Sequence, residues 1–132
     1  MAAMNVSVSR DPFEATGCDV RRDRLVRALY ATDASIYQVE PGAVAFPRST
    51  VQLSDVIRTA AETGMSVTLR GAGTGLVGGA LGEGLVVDAS RHLTAIDDLD
   101  LEAGMVCVGA GVVLDRLNAF LAPHRLWFGP DV

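Results

Sequence analysis

The chain has 132 residues, of which 49% are hydrophobic, so it is long enough for one small domain with a real core. A net charge of -5 argues against a nucleic-acid partner, because phosphate backbones require a basic face. All eleven basic residues are arginine, which excludes a Schiff-base lysine and a P-loop lysine within this sequence.

Met1 to Thr16 has weak periodicity and polar punctuation and reads as a flexible lead-in, with residues 17–132 forming the domain. Met1 to Arg10 carries no apolar signal-peptide core, and the longest nearly apolar run, Met105 to Leu114, is too short to span a bilayer. A cytoplasmic, reducing compartment is therefore expected. Cys18 and Cys107 lie far apart, outside any metal-ligand spacing, and are expected as buried free thiols.

Asp19 to Tyr30 is predicted as a helix, with Val20, Leu25, Val26 and Leu29 apolar. Arg21, Arg22, Arg24 and Arg27 give it a solvated face or, alternatively, a binding face. Thr32 to Tyr37 is a turn into a short extended piece, and Gly42 to Phe46 is a buried strand stopped by Pro47. Ser49 and Gln52 match a capping box, Leu53, Val56, Ile57, Ala60 and Ala61 follow at helical spacing, and Gly64 closes the helix.

Met65 to Leu69 is a strand that runs into a glycine loop, and Gly84 to Asp88 is the strand that follows it. Leu93 to Ile96 and Met105 to Val108 are expected as a strand pair around the acidic turn Asp97 to Glu102. That turn lacks the residue order of a calcium loop. Val113, Leu114, Leu117, Phe120 and Leu121 mark a second helix, and Leu126 to Phe128 a short strand. The mixture implies an α+β fold, a small mixed sheet flanked by helices. The chain stops just after Gly129-Pro130-Asp131, and a cut inside a larger domain is expected.

Between Gly71 and Gly84 stand seven of the fourteen glycines. Such density brings peptide N–H groups close to something bulky, and converging amides suit a phosphate or pyrophosphate. Gly73-Thr-Gly-Leu-Val-Gly78 satisfies the literal G-x-G-x-x-G pattern. The dinucleotide fingerprint also requires a helix to start inside the motif, and the glycines that follow leave no room for one. What remains is strand, glycine loop, strand, with Thr74 offering a hydroxyl and Arg70 a charge at the entrance.

The ordered set Phe46-Pro-Arg-Ser-Thr50, Arg70 to Gly79, Val87-Asp-Ala-Ser-Arg91, Gly109-Ala-Gly111 and Gly129-Pro-Asp131 resembles the start of an FAD-binding domain. The type is that of vanillyl-alcohol oxidase and p-cresol methylhydroxylase (PCMH), in the branch of D-lactate dehydrogenase, the glycolate oxidase flavin subunit and D-2-hydroxyglutarate dehydrogenase. Ala31 to Tyr37 is similar to the lead-in of long bacterial members that carry an iron–sulfur domain further on. The resemblance implies the first lobe of the PCMH-type domain, truncated at its C-terminal end.

It further implies that Arg70, Gly71, Ala72, Gly73, Thr74, Gly75, Leu76, Gly78 and Gly79 hold the FAD pyrophosphate. Pro47 would stand at the adenine-side wall, and Pro130 and Asp131 would begin a segment reaching the flavin. The loop lacks the His, Cys or Tyr that tethers flavin in some members, so noncovalent FAD is expected. His92 and His124 are read as structural and surface residues.

The implied reaction oxidises a D-2-hydroxyacid to the 2-oxoacid and passes electrons to a quinone, cytochrome, electron-transfer flavoprotein or iron–sulfur acceptor. The catalytic residues of the family lie in a later domain, so no catalytic or metal-binding residue is assigned here. Association peripheral to the inner membrane is compatible with a quinone acceptor. The alternatives are a noncatalytic module of the same fold that has lost flavin, and a peptidoglycan-precursor reductase of the same superfamily.

Overall fold

The computed structural model describes residues 11–129. Two elements form the structure: a four-stranded mixed sheet clasped by helices, and a separate two-stranded hairpin. The chain order is β1 (Asp19–Arg21), α1 (Arg24–Leu29), β2 (Ala43–Phe46), α2 (Thr50–Glu62), β3 (Val67–Arg70), β4 (Leu85–Asp88), β5 (Ile96–Asp100), β6 (Met105–Val108) and α3 (Leu114–Leu121), with short 3-10 turns at Glu14–Thr16 and Ala122–His124. The sheet order is β1-β2-β4-β3. β2, β4 and β3 run parallel and β1 is antiparallel to β2. The α+β expectation is met.

The central strands are apolar except for Asp88 at the end of β4, because both of their faces are covered. Alternation then sorts the side chains. Ala43, Ala45, Leu85 and Val87 pack with Phe13 and with Val56 and Ala60 of α2, while Val44, Phe46 and Val86 face Val26 and Tyr30 of the α1 region. Phe13 falls within the expected lead-in, yet it is 1% exposed; residues 11–16 supply part of the core's lid.

α2 forms where the caps predict. Ser49 Oγ accepts the Gln52 N–H at 3.2 Å, and the Gln52 side chain accepts the Arg48 N–H at 2.9 Å. The same amide donates to Gly17 O, tying the helix start to the preceding segment. Gly64 ends the helix with φ +69°. Its buried face is narrower than expected, because Ile57 and Ala61 are exposed.

Four expectations are corrected. Asp19 to Arg21 is a strand, not the first turn of a helix, because it pairs with Val44 to Phe46 across the sheet edge. The helix starts later, where Asp23 Oδ1 accepts the Val26 N–H; that contact and Arg21 hold the Asp23 carboxyl below its usual range. The acidic residues Asp97, Asp98 and Asp100 belong to β5, and the turn begins only at Leu101. Leu126 to Phe128 is extended but pairs with no strand; instead the Asn118 amide accepts from Phe128 N and donates to Phe128 O. Cys107 is exposed, whereas Cys18 is half-buried and its thiol pKa is pushed up by that burial. The arginines near α1 are mostly paired: Arg21 with Asp23, Arg22 with Asp11, and Arg27 with Glu40.

Candidate functional site: a glycine crossover and its clefts

β3 and β4 are adjacent and parallel, so the chain must return the full length of the strand between them. Such crossovers are usually helical. Here residues 71–84 make the return without a helix. The loop has two limbs. The far limb descends along β3: a Cβ at Gly82 would strike Thr68 Oγ1, and one at Gly84 would strike Ser66 O. Gly42 N donates to Glu83 O and Gly84 O, which locks this limb to the start of β2.

The near limb is different. Among the described residues, the N–H groups of residues 72–79 donate to no backbone carbonyl. A Cβ added at Gly71, Gly75 or Gly79 would meet no atom within 4 Å. Gly73 and Gly78 adopt φ +70° and +76°, the left-handed conformation that turns successive amides toward one side. Free amides with open space above them form a cradle for an anion, and the residues present fit a diphosphate.

The near limb stands at the carboxyl ends of the parallel strands, where ligands of α/β sheets collect. A cleft of about 420 Å³ opens there, lined by Gly71, Ala72 and Thr74, by Ser90 just after β4, and by the segment Ala110 to Asp115 that enters α3. The first turn of α3 has no side-chain cap, so its free N–H groups also border this cleft. A second cleft of about 360 Å³ lies beside it, with Arg48, Ser49 and His92 in its wall. Ala110 lines both clefts.

Under the cleft floor lies a polar network. Asp88 is 5% exposed and accepts three hydrogen bonds, from Tyr30 Oη at 2.5 Å and from Ser90 N and Oγ at 2.7 Å each. Burial and this bond to an acidic partner push the Tyr30 hydroxyl pKa up to about 12. The Tyr30 ring packs edge-on against Phe46 and carries the Arg70 guanidinium 5.1 Å from its centroid.

The expected site residues separate in the structure. Gly71, Ala72 and Thr74 line the main cleft, whereas Gly73, Gly75, Leu76, Gly78 and Gly79 belong to the same exposed limb without lining it. Arg70 points back under the loop, where it donates to Thr32 O at 3.0 Å. Pro47 is fully buried, so it ends β2 rather than facing a ligand; its neighbours Arg48 and Ser49 line the second cleft. Pro130 and Asp131 lie outside the described residues. His92, read as structural, stands in the second cleft's wall, and His124 is exposed. Ser90, Gly111 and the entrance to α3 were not singled out as site residues by the sequence, because only the fold brings them across from the glycine loop.

Residues 41–132 match the model of a family described as "FAD binding domain". The chain is 44% identical over 109 residues to D-2-hydroxyglutarate dehydrogenase of Escherichia coli (strain K12), spanning 80% of this chain and 11% of that protein. It is 34% identical over 108 residues to glycolate oxidase subunit GlcD of Bacillus subtilis (strain 168), spanning 80% of this chain and 23% of that one. Among solved structures, Physcomitrella patens BBE-like 1 variant D396N superposes with a TM-score of 0.73 at 20% identity, covering 86% of this chain and 25% of that one. Xylooligosaccharide oxidase from Myceliophthora thermophila C1 gives 0.68 at 20% identity, covering 84% and 24%. The chain therefore spans only a small part of the proteins it matches.

Proposed function

The chain belongs to the FAD binding domain family, and on that premise we propose that it forms the diphosphate-binding part of a flavin-dependent dehydrogenase. The proposed substrate is a D-2-hydroxyacid of the 2-hydroxyglutarate class, oxidised to its 2-oxoacid. The substrate class is supported by the similarity to four proteins named D-2-hydroxyglutarate dehydrogenase, at 39% to 45% identity. The glycolate and D-lactate enzymes are more distant, at 32% to 34%. A quinone, cytochrome or iron–sulfur group is the proposed electron acceptor.

One observation carries the cofactor reading: the amides of residues 72–79 donate to no backbone carbonyl, in a limb where a Cβ at Gly71, Gly75 or Gly79 would meet no protein atom within 4 Å. Amide dipoles hold a diphosphate without a lysine, in keeping with a sequence that has none. The Thr74 and Ser90 hydroxyls border the same cleft and can donate to a phosphate or ribose oxygen. The two clefts adjoin at Ala110 and together offer room for the two halves of a dinucleotide. When bound, FAD supplies the two-electron acceptor for the hydride lost from the carbinol carbon. The residues described here bind and orient; none is assigned to proton transfer.

The test is anaerobic spectroscopy of the full-length protein. The expected result is a yellow protein whose flavin absorbance bleaches fastest with D-2-hydroxyglutarate, and more slowly with D-lactate or glycolate. A colourless folded protein would overturn the cofactor reading, and a yellow protein bleached by none of the three would overturn the substrate class.

A further inference from the structure

The turn from Thr32 to Tyr37 touches the near limb of the glycine loop at successive points. Ala34 N donates to Gly73 O at 2.9 Å. The Tyr37 ring lies so close beneath Gly78 that a Cβ there would stand 2.9 Å from Cδ2. Asp33 Oδ1 accepts the Ser35 N–H at 2.8 Å. The Ser35 hydroxyl and N–H, then the Ala80 N–H and the Arg70 charge, all favour the Asp33 anion and hold its carboxyl below the usual range.

Arg70 completes the bracket from the other side. Its Nη2 donates to Thr32 O, its plane lies over Tyr30, and a Cβ at Gly73 would come within 2.6 Å of Nη2. Arg70 Nη1 and Asp33 Oδ2 are both buried and form no hydrogen bond. A guanidinium turned inward in this way does not present its charge to the open side of the loop. It balances Asp33 instead, a carboxylate that would otherwise repel a bound diphosphate.

We propose that Asp33 and Arg70 are positioning residues for the cofactor: they fix the 32–37 turn as a rigid bracket that holds the near limb's amides aimed before any ligand arrives. A preset limb avoids the ordering cost of a flexible glycine segment on binding. Arg70 acts through its planar fork and not as a phosphate ligand, and a lysine cannot reproduce that geometry. This inference rests on the FAD reading above.

FAD is titrated into the full-length apoprotein carrying Arg70→Lys, Asp33→Asn or Tyr37→Ala, with urea unfolding of each apoprotein alongside. Tyr37 is 56% exposed, so its variant tests the bracket with little risk to the fold. The expected result is a loss of FAD affinity of about tenfold or more in all three, roughly 1.4 kcal/mol each, with the unfolding midpoint of Tyr37→Ala unchanged. The lysine variant separates the two roles of Arg70: wild-type affinity would mean that charge alone suffices, and would overturn the proposal. Asp33→Asn gives a second contrast of sign, because tighter FAD binding would mean that Asp33 merely repels the ligand. A wild-type protein that binds no FAD would remove the cofactor reading itself. Wild-type binding with Tyr37→Ala at full affinity would sink the bracket alone.

Discussion

Both limbs of the crossover carry glycine, five residues in the near limb and two in the far limb, but they use it for different reasons. In the far limb, Gly82 and Gly84 are glycine because protein atoms of β3 and its approach occupy the place of a side chain. Gly109 and Gly111 are of the same kind, pressed against Leu93 O and Ala89 O. In the near limb, Gly71, Gly75 and Gly79 meet nothing, whereas Gly73 and Gly78 combine a positive φ with close contact to Arg70 and Tyr37. Glycine costs backbone entropy wherever it is ordered, so Gly71, Gly75 and Gly79, which need neither space nor a positive φ, fit the proposed ligand rather than the packing of the fold. A glycine's meaning is thus read from what a Cβ would touch, not from its place in a motif.

Substitutions in the two limbs should therefore separate stability from binding. Gly84→Val is expected to have the largest effect on the fold, because its Cβ would overlap Ser66 O, a backbone atom that cannot rotate away. A loss of about 3 kcal/mol or more in urea unfolding is expected, with or without flavin. A variant as stable as wild type would mean that the far limb is not packed as described.

Gly75→Val should do the reverse. Its Cβ would meet no protein atom within 4 Å, so unfolding should stay within about 0.5 kcal/mol of wild type. FAD affinity should fall about a hundredfold, roughly 2.7 kcal/mol, as measured by quenching of flavin fluorescence. Equal losses of stability and affinity would erase the distinction between the limbs.

Tyr30→Phe tests the polar network under the cleft. It deprives buried Asp88 of one of its three donors, and a destabilisation of about 1–2 kcal/mol is expected at pH 7. The Tyr30 pKa is raised in the folded state, so its contribution is full below about pH 10, the ordinary tyrosine value, and is lost as pH rises toward about 12. Wild type should thus lose stability across that alkaline window, and Tyr30→Phe should lose less. Parallel stability curves for the two proteins would contradict the bond. The smallest effect on the fold is expected at Ser49→Ala, about 1 kcal/mol in urea unfolding from the lost cap of α2.

Local chemistry made the parts of this fold with short-range causes legible in the sequence. Ser49, Gln52 and Gly64 announce α2 because caps lie within a few residues of the groups they satisfy. The glycine loop announces itself in the same way. Long-range pairing hid the rest. Val20 looks like the apolar face of a helix, but it is the middle of a strand whose partner, Ala45, lies beyond α1. The signal that could have corrected this reading was Asp23, a good N-cap placed after the supposed helix had begun. Asp97, Asp98 and Asp100 read as a turn because acidic residues are poor strand formers, yet β5 lies mostly open to solvent and tolerates them.

The site was legible to the same degree. Gly71, Ala72 and Thr74, singled out from the loop itself, line the main cleft, while Arg70, expected at the loop's entrance, turns back to Thr32 and Tyr30, contacts that only the fold reveals. Ser90 and the start of α3 reach the cleft by sheet order and crossover, which no local pattern encodes.

Amide hydrogen exchange on the full-length protein, with and without FAD, tests the central claim most directly. The N–H groups of residues 72–79 have no backbone acceptor, so they should exchange fast in the apoprotein and become protected when FAD binds. Flavin-saturated protein in which those amides still exchange at the apoprotein rate would contradict the account.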